Sequence, residues 1–376
     1  MYISTFDELV EFCERVSSSG VLAVDTEFLR EKTYHPKLCL IQVATDQEAA
    51  AIDPLLIDDL EPLRALMADE TKTKVFHACG QDIEVLEDCF GFVPRPLFDT
   101  QLAAAFLGHR MQLGLAALVR EYEGVSLAKA DGLTDWSKRP LDEDQLRYAE
   151  EDVIYLPAIY NKMIRRLVEL DRLSWIEPEI ESMVTALENR RDPEEAFRHL
   201  KRATSLTRRQ LAVAREVCAW RERSAERRNL PRKWVLSDEV IVELCKGTPH
   251  TPARLRRIRG TEQLSDKDVR QLIEAIRAGC SCRPEDYPRV HHRPRISAEA
   301  DSIVDLMYAM LRLCSERCGV ALPLIATRED LHALAAGKKS SPLLEGWRYE
   351  EAGKQLQGLL SGEMGLTIKD GHVEVL

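Results

Sequence analysis

The 376-residue chain contains no run of about 18 apolar residues, which excludes a helical membrane span. Its opening segment, MYISTFDELVEFCERV, carries four acids within its apolar rhythm and so does not read as a secretory signal. The chain is therefore expected to be cytoplasmic and to have no membrane partner. A CxxC pair is also lacking. The ten cysteines are scattered through apolar segments, and the closest pairs, Cys280 with Cys282 and Cys314 with Cys318, have no four-ligand grouping around them. Reduced, mostly buried thiols are expected, rather than a disulfide framework or a zinc site.

Charge is unevenly divided. Residues 1–200 hold 21 Lys+Arg against 39 Asp+Glu, residues 201–300 hold 23 against 13, and residues 301–376 hold 8 against 11, within a total of −11. The length allows two or three domains. A basic block beside an acidic one suits a chain whose centre meets a polyanion while its first part supplies metal ligands. A solvated helical surface has the same composition.

Residues 1–200 mix strands and helices. VLAVDTEF, LCLIQVA (38–44) and EAAAID (48–53) read as three sequential antiparallel strands, and KVFH (74–77) as a fourth. Helices are expected around 60–69, over QDIEVLEDCF up to Gly91, over LFDTQLAAAFLG up to Gly108, and over LGLAALVREYEG up to Gly124. Leu127 to Pro140 reads as a loop, followed by a helix capped at Asp142 with Gln145 three residues on. From about residue 204 the pattern is purely helical. Thr251 with Pro252, Ser237 and Ser265 open helices, and Gly247, Gly260 and Gly279 are expected to close them. Residues 280–298 read as a linker. VLSDEVIVELCKG (235–247) aligns with IATREDLHALAAG (325–337), with hydroxyl caps at Ser237 and Thr327, so two tandem modules are expected, 204–279 and 299–376. LTIKDGHVEVL suggests a terminal hairpin.

The acids are the most informative residues. Asp25 and Glu27 stand at i and i+2, on one face of a strand. Asp82 opens a helix that follows a strand, where the dipole favours an anion. Tyr148 and Asp152 are one helical turn apart on one face. Pro157 crowds the carbonyl of Val153, so any kink falls after that turn. Each of these placements is common in purely structural roles. Converging, however, four carboxylates repel one another unless cations sit among them. Two Mg2+ or Mn2+ ions suit an all-oxygen set and would serve phosphodiester hydrolysis, with Tyr148 positioning the water.

In DTEF (Asp25, Glu27), HACGQD (Asp82) and the YxxxD spacing of YAEEDV (Tyr148, Asp152), the chain resembles the ribonuclease D family, in the tyrosine subclass of the DEDD exonucleases. TYHPKLCLIQVA, FDTQLAAAFLG and DWSKRPLDEDQLRYAEEDVIYL share the resemblance, and the helical modules resemble HRDC domains. The resemblance implies an α/β ribonuclease H-like exonuclease domain with a mixed five-stranded sheet over 1–200, followed by two all-α HRDC modules. It also implies metal-dependent 3′→5′ removal of nucleotides from RNA, typically tRNA precursors, with release of 5′-monophosphates. A monomer is expected.

Secondary contacts to substrate are expected from Thr26, Phe28, His77, Gln81, Trp136, Lys138 and Arg139. Packing explains several of them equally well, since a histidine ending an apolar strand and a tryptophan in a loop are common anchors. Phosphate contacts in the first module are expected among Arg208, Arg209, Arg221, Arg223, Arg227, Arg228, Arg232 and Lys233. The carboxylates do not distinguish ribose from deoxyribose, so a DNA exonuclease of the same superfamily and a catalytically silent nucleic-acid scaffold are the competing readings.

Overall fold

The computed structural model describes residues 1–127, 134–189, 192–288 and 298–376. The first half is built on one mixed sheet. Strand β1 (Tyr2–Ile3) leads into helix α1 (Phe6–Val16), whose capping box joins Thr5 and Glu8. Then come β2 (Val21–Leu29), β3 (Lys37–Ala44), β4 (Ala49–Ile52), α2 (Glu61–Ala68), β5 (Thr73–Phe76), α3 (Gly80–Phe90), β6 (Leu97–Asp99), α4 (Thr100–Phe106) and α5 (Leu115–Glu123). The sheet order is β1-β4-β3-β2-β5-β6, with β2, β3 and β4 antiparallel and the remaining pairs parallel.

The sheet has six strands where five were expected. The reading of the residues missed its two edge strands. Each is too short to show a period of two: β1 spans two residues, and β6 spans three and runs directly into α4, so LFDTQLAAAFLG looks like one helix. Gly91 and Gly124 end their helices in the left-handed region, as anticipated.

Helix α6 (Glu143–Ile154) begins at Asp142 with the expected capping box to Gln145. Tyr155 separates it from α7 (Leu156–Glu169), so the chain bends after Asp152 and the Tyr148–Asp152 turn stays regular. Helix α8 (Leu173–Asn189) ends this half. Part of the expected loop, 128–133, lies outside the described residues, as do residues 289–297 of the expected linker.

The helical half repeats itself. Helices α9 (Arg208–Arg228), α10 (Arg232–Val235) and α11 (Asp238–Gly247) precede α12 (Pro252–Leu255) and α13 (Asp266–Cys280). Beyond the linker, α14 (Ala298–Cys318), α15 (Leu322–Ile325) and α16 (Arg328–Ala335) begin 90 residues after α9, α10 and α11 respectively. The two halves of the repeat pack differently. Residues of α9, α11 and α13 share a core with Ala196, Phe197 and Leu200, so the chain from 196 onward packs with the first module although it was assigned to 1–200. Residues of α14 and α16 instead join the core of the nuclease half.

That second junction is specific. The buried Arg172 donates to the carbonyls of Phe106 at 2.7 Å, Gly319 at 3.3 Å, and Cys318. Trp175 stacks on Trp347 of α17 (Gly346–Arg348) at 5.0 Å and 10°. A π turn (Tyr349–Gly353), α18 (Lys354–Ser361) and the expected hairpin, β7 (Leu366–Lys369) with β8 (His372–Val375), complete the chain. No helix among the described residues is long and apolar enough to cross a membrane.

Gly279 does not close α13, which runs on to Cys280. Its role is close approach: a Cβ there would lie 2.5 Å from Val213 Cα and 2.8 Å from the Ala212 carbonyl. Gly279→Ala is therefore expected to cost about 1–3 kcal/mol by overpacking against backbone. Gly247→Ala, where an added Cβ meets nothing within 4 Å, serves as the control in thermal denaturation.

Candidate active site

Strand β2 sits near the middle of the sheet and carries Asp25 and Glu27 on the face that α6 covers. A bulge between Glu27 and Phe28 shifts the register against β3 directly after the second acid, which lets the strand turn away from the site. From above, α6 brings Asp152 down so that single ligand oxygens of Asp25, Glu27 and Asp152 lie within 4.8 Å of one another. Tyr148, one turn earlier on α6, hydrogen-bonds with Asp152.

Asp82 stands apart from this triplet, in the first turn of α3. Its Oδ1 accepts a hydrogen bond of 2.5 Å from Thr26 Oγ1, and it is close enough for its charge to act on Asp25 and Glu27. The turn that presents it is fixed from β6. The Asp99 carboxylate accepts from the backbone N–H of Cys79 at 2.9 Å while also capping α4 through Gln101 and Leu102. Asp99 escaped the sequence reading, although an acid directly before a helix was its available signal.

The electrostatics follow from crowding. Burial first, then the charges of Asp82, Asp152 and Glu27, raise the Asp25 carboxyl well above its ordinary range. Burial with Asp152 and Asp82 pushes Glu27 up to about 8. Burial takes Asp152 to about 7 despite the hydrogen bond from Tyr148, and Asp82 to about 6 despite that from Thr26. Burial and the neighbouring carboxylates raise the Tyr148 phenol, which stays protonated at neutral pH. An all-oxygen, mutually repelling set of this kind fits hard divalent cations, which supply the missing positive charge.

Several expected substrate contacts are otherwise engaged. Arg139 is the clearest correction. Its guanidinium donates to the carbonyls of Trp136 (2.7 Å), Lys138 (2.8 Å) and Cys39 (2.7 Å), to Asp53 Oδ1 (2.8 Å), and through Nε to Asp53 Oδ2. All five N–H groups are used, so none is left for phosphate. Burial alone would raise the Asp53 carboxyl, but hydrogen bonds from Arg139 and Tyr2 hold it below the usual range. Trp136 is buried with Cys39, Leu40, Ala51 and Ala149, its ring 6.0 Å from that of Tyr148, and it acts as an anchor. The Thr26 side chain is buried and committed to Asp82. His77 is tied through Nδ1 to the Thr100 hydroxyl at 2.9 Å, and burial lowers its pKa. Gln81 and Lys138 are exposed, and Phe28 is partly exposed and belongs to none of the hydrophobic cores.

In the helical module, Arg221 is buried against Asp238 (2.6 Å), Arg232 grips the buried Glu222, and Arg228 and Arg223 pair with Asp268 and Glu194. The Arg232 pair belongs to a junction with the nuclease. Tyr34 donates to Glu222 at 2.6 Å, Arg232 lies over the Tyr34 ring, and Asn229 Oδ1 accepts from the backbone of Tyr34 and His35. These arginines hold the module together and in place; Arg208 and Arg227 are exposed with one hydrogen bond each, to the Tyr287 carbonyl and the Ser224 hydroxyl, and Arg209 and Lys233 are exposed with no ion pair among the described residues.

The raised carboxyls carry a stability consequence. A folded-state pKa above the unfolded value means the folded protein holds extra protons between the two, so metal-free stability falls as pH rises from about 4 through about 8. In chelator, Glu27→Gln is expected to melt progressively higher than wild type across that window. Parallel melting curves at all pH values would contradict the repulsion.

Residues 1–168 match the 3′-5′ exonuclease family, and residues 210–276 match the HRDC domain family. Ribonuclease D of Sphingobium indicum is 39% identical over 373 residues, covering 98% of this chain and 96% of its own. That of Nitrobacter hamburgensis is 37% identical, covering 99% and 98%. The crystal structure of Escherichia coli RNase D, described as an exoribonuclease involved in structured RNA processing, superposes with a TM-score of 0.80 at 32% identity, covering 96% of this chain and 98% of that one. A protein from Bifidobacterium adolescentis shares the fold at a TM-score of 0.65 and 22% identity. With likeness of this extent joined to a cluster of carboxylates fit for divalent cations, the chain belongs to the ribonuclease D family and is a metal-dependent 3′→5′ exoribonuclease.

Proposed function

We propose that this chain trims the 3′ ends of structured RNA, tRNA precursors among them, using two divalent cations, Mg2+ or Mn2+, and releases nucleoside 5′-monophosphates. The observation that carries the reading is the convergence of Asp25, Glu27 and Asp152 oxygens within 4.8 Å, with Asp82 close by. These four carboxylates would hold the cations. When bound, the cations supply an activated water and stabilise the leaving 3′ oxygen. Tyr148 keeps its phenolic proton, so it serves to orient the water rather than to act as base.

Phe28, beside Glu27 and outside every core cluster, is proposed as the surface for the terminal base, a contact worth about 1–3 kcal/mol. Gln81, at the start of α3, and Lys138 are the remaining candidates for substrate contact. The first helical module is proposed to bind RNA upstream of the 3′ end, with Arg209 and Lys233 free to meet phosphate. The 90-residue offset supports reading residues 298–376 as a second, HRDC-type module whose task is to brace the nuclease. A cytoplasmic monomer is the proposed form.

Asp25→Ala and Asp152→Asn are expected to abolish nucleotide release from RNA while circular dichroism stays unchanged; full activity in either would sink the metal-cluster account. Tyr148→Phe is expected to slow turnover by about 10²–10⁴-fold. Matched RNA and DNA 3′ ends digested side by side test the choice of sugar.

RNA affinity is expected to fall steeply with salt. Replacing Arg209 or Lys233 with Ala should reduce the slope of log affinity against log salt by about 1 each. Binding titrations at several salt concentrations check this.

A further inference from the structure

Gln42 is wholly buried, and both its Nε2 and its Oε1 lack a hydrogen-bond partner. Among the described residues no other side-chain amide is left unpaired at both ends. Its place in the sheet is well defined. On β3 it stands directly opposite Asp25 on β2, with Ala51 of β4 on its other side. Residues opposed across antiparallel strands share a face, so Gln42 lies on the same face as Asp25 and Glu27. Leu40, two residues before it on that face, packs with Ala51 and Ala149 under α6, while Ile41 and Val43 turn to the opposite core.

In this row across the sheet, Ala51 offers only a methyl group, and the polar group the register places beside Gln42 is the Asp25 carboxylate. Each unpaired end of a buried amide has given up its water without gaining a partner, which is unfavourable. A methionine or leucine would fill the same volume without that cost. An amide at this position is understandable if it gains a partner when the site is in its working state, with Asp25 ionised and holding a cation.

We propose that Gln42 is a positioning residue for the metal site: its Nε2 donates to the Asp25 carboxylate, directly or across one ordered water, and fixes the orientation in which Asp25 holds a divalent cation. The proposal rests on the reading of the carboxylate cluster as the metal site. Gln42 itself touches neither substrate nor cation. Outer partners of metal ligands typically set affinity by about 10–100-fold.

The test uses the full chain with Gln42→Met and Gln42→Leu, and Mn2+ as the probe. Three quantities are read: the Mn2+ dissociation constant by calorimetry, the Mn2+ concentration giving half-maximal nucleotide release, and the melting temperature in chelator. Both Mn2+ values are expected to rise about 10–100-fold, the rate at saturating Mn2+ to stay within about threefold, and the metal-free melting temperature to hold or rise as the unpaired amide is removed. An unchanged Mn2+ dissociation constant in a folded variant overturns the proposal. So does failure of both variants to fold, which would assign the amide to the fold alone. If the wild type itself binds no Mn2+, the cluster reading falls and this inference with it; normal wild-type binding with unaltered variants sinks the Gln42 role only.

Discussion

Repulsion among carboxylates crowded against one sheet face is the constraint on which the rest of this structure depends. Asp25, Glu27, Asp82 and Asp152 each sit where burial and like charges favour their neutral forms. Left to themselves they would move apart. They stay together because each is carried by an element that is fixed for other reasons: two by a strand near the middle of the sheet, one by a helix whose first turn is held from β6, and one by a helix packed over β3 and β4. The cost of assembling the charges is offset when cations sit among them.

The residues around the cluster serve this restraint. Arg139 anchors the segment before α6 by joining Asp53 and Cys39 to the backbone at Trp136, and Trp136 packs beside Tyr148. Thr26, facing away from its two acidic neighbours, reaches Asp82 instead. Residues that resemble substrate contacts by sequence position therefore act one step back from the chemistry. Specificity for RNA is proposed to come from elsewhere, from the partly exposed Phe28, the exposed Lys138 and the helical module.

The repeated helices show how one local pattern can be put to two uses. The first copy keeps its own core and touches the nuclease through a polar junction of Tyr34, Glu222, Arg232 and Asn229. The second gives up its independence and shares the nuclease core, locked by Arg172 and the Trp175–Trp347 stack. Much of the positive charge of the first copy is consumed internally, so composition overstated the number of arginines free for phosphate.

The sequence by itself determined most of the longer elements and many of their ends, the face on which each acid stands, the turn shared by Tyr148 and Asp152, and the repeat of the helical module. These rest on patterns that reach only two to four residues along the chain, and a single sequence displays them directly. The two edge strands escaped because two or three residues cannot display a period. Tertiary structure decided which oxygens meet, that Thr26 and Arg139 are anchors, that Gln42 lies buried beside Asp25, and that the second module joins the nuclease. Each of those facts is a pairing across long separations, 86 residues for Arg139 with Asp53 and 56 for Thr26 with Asp82, and such pairings arise only when the whole chain has packed.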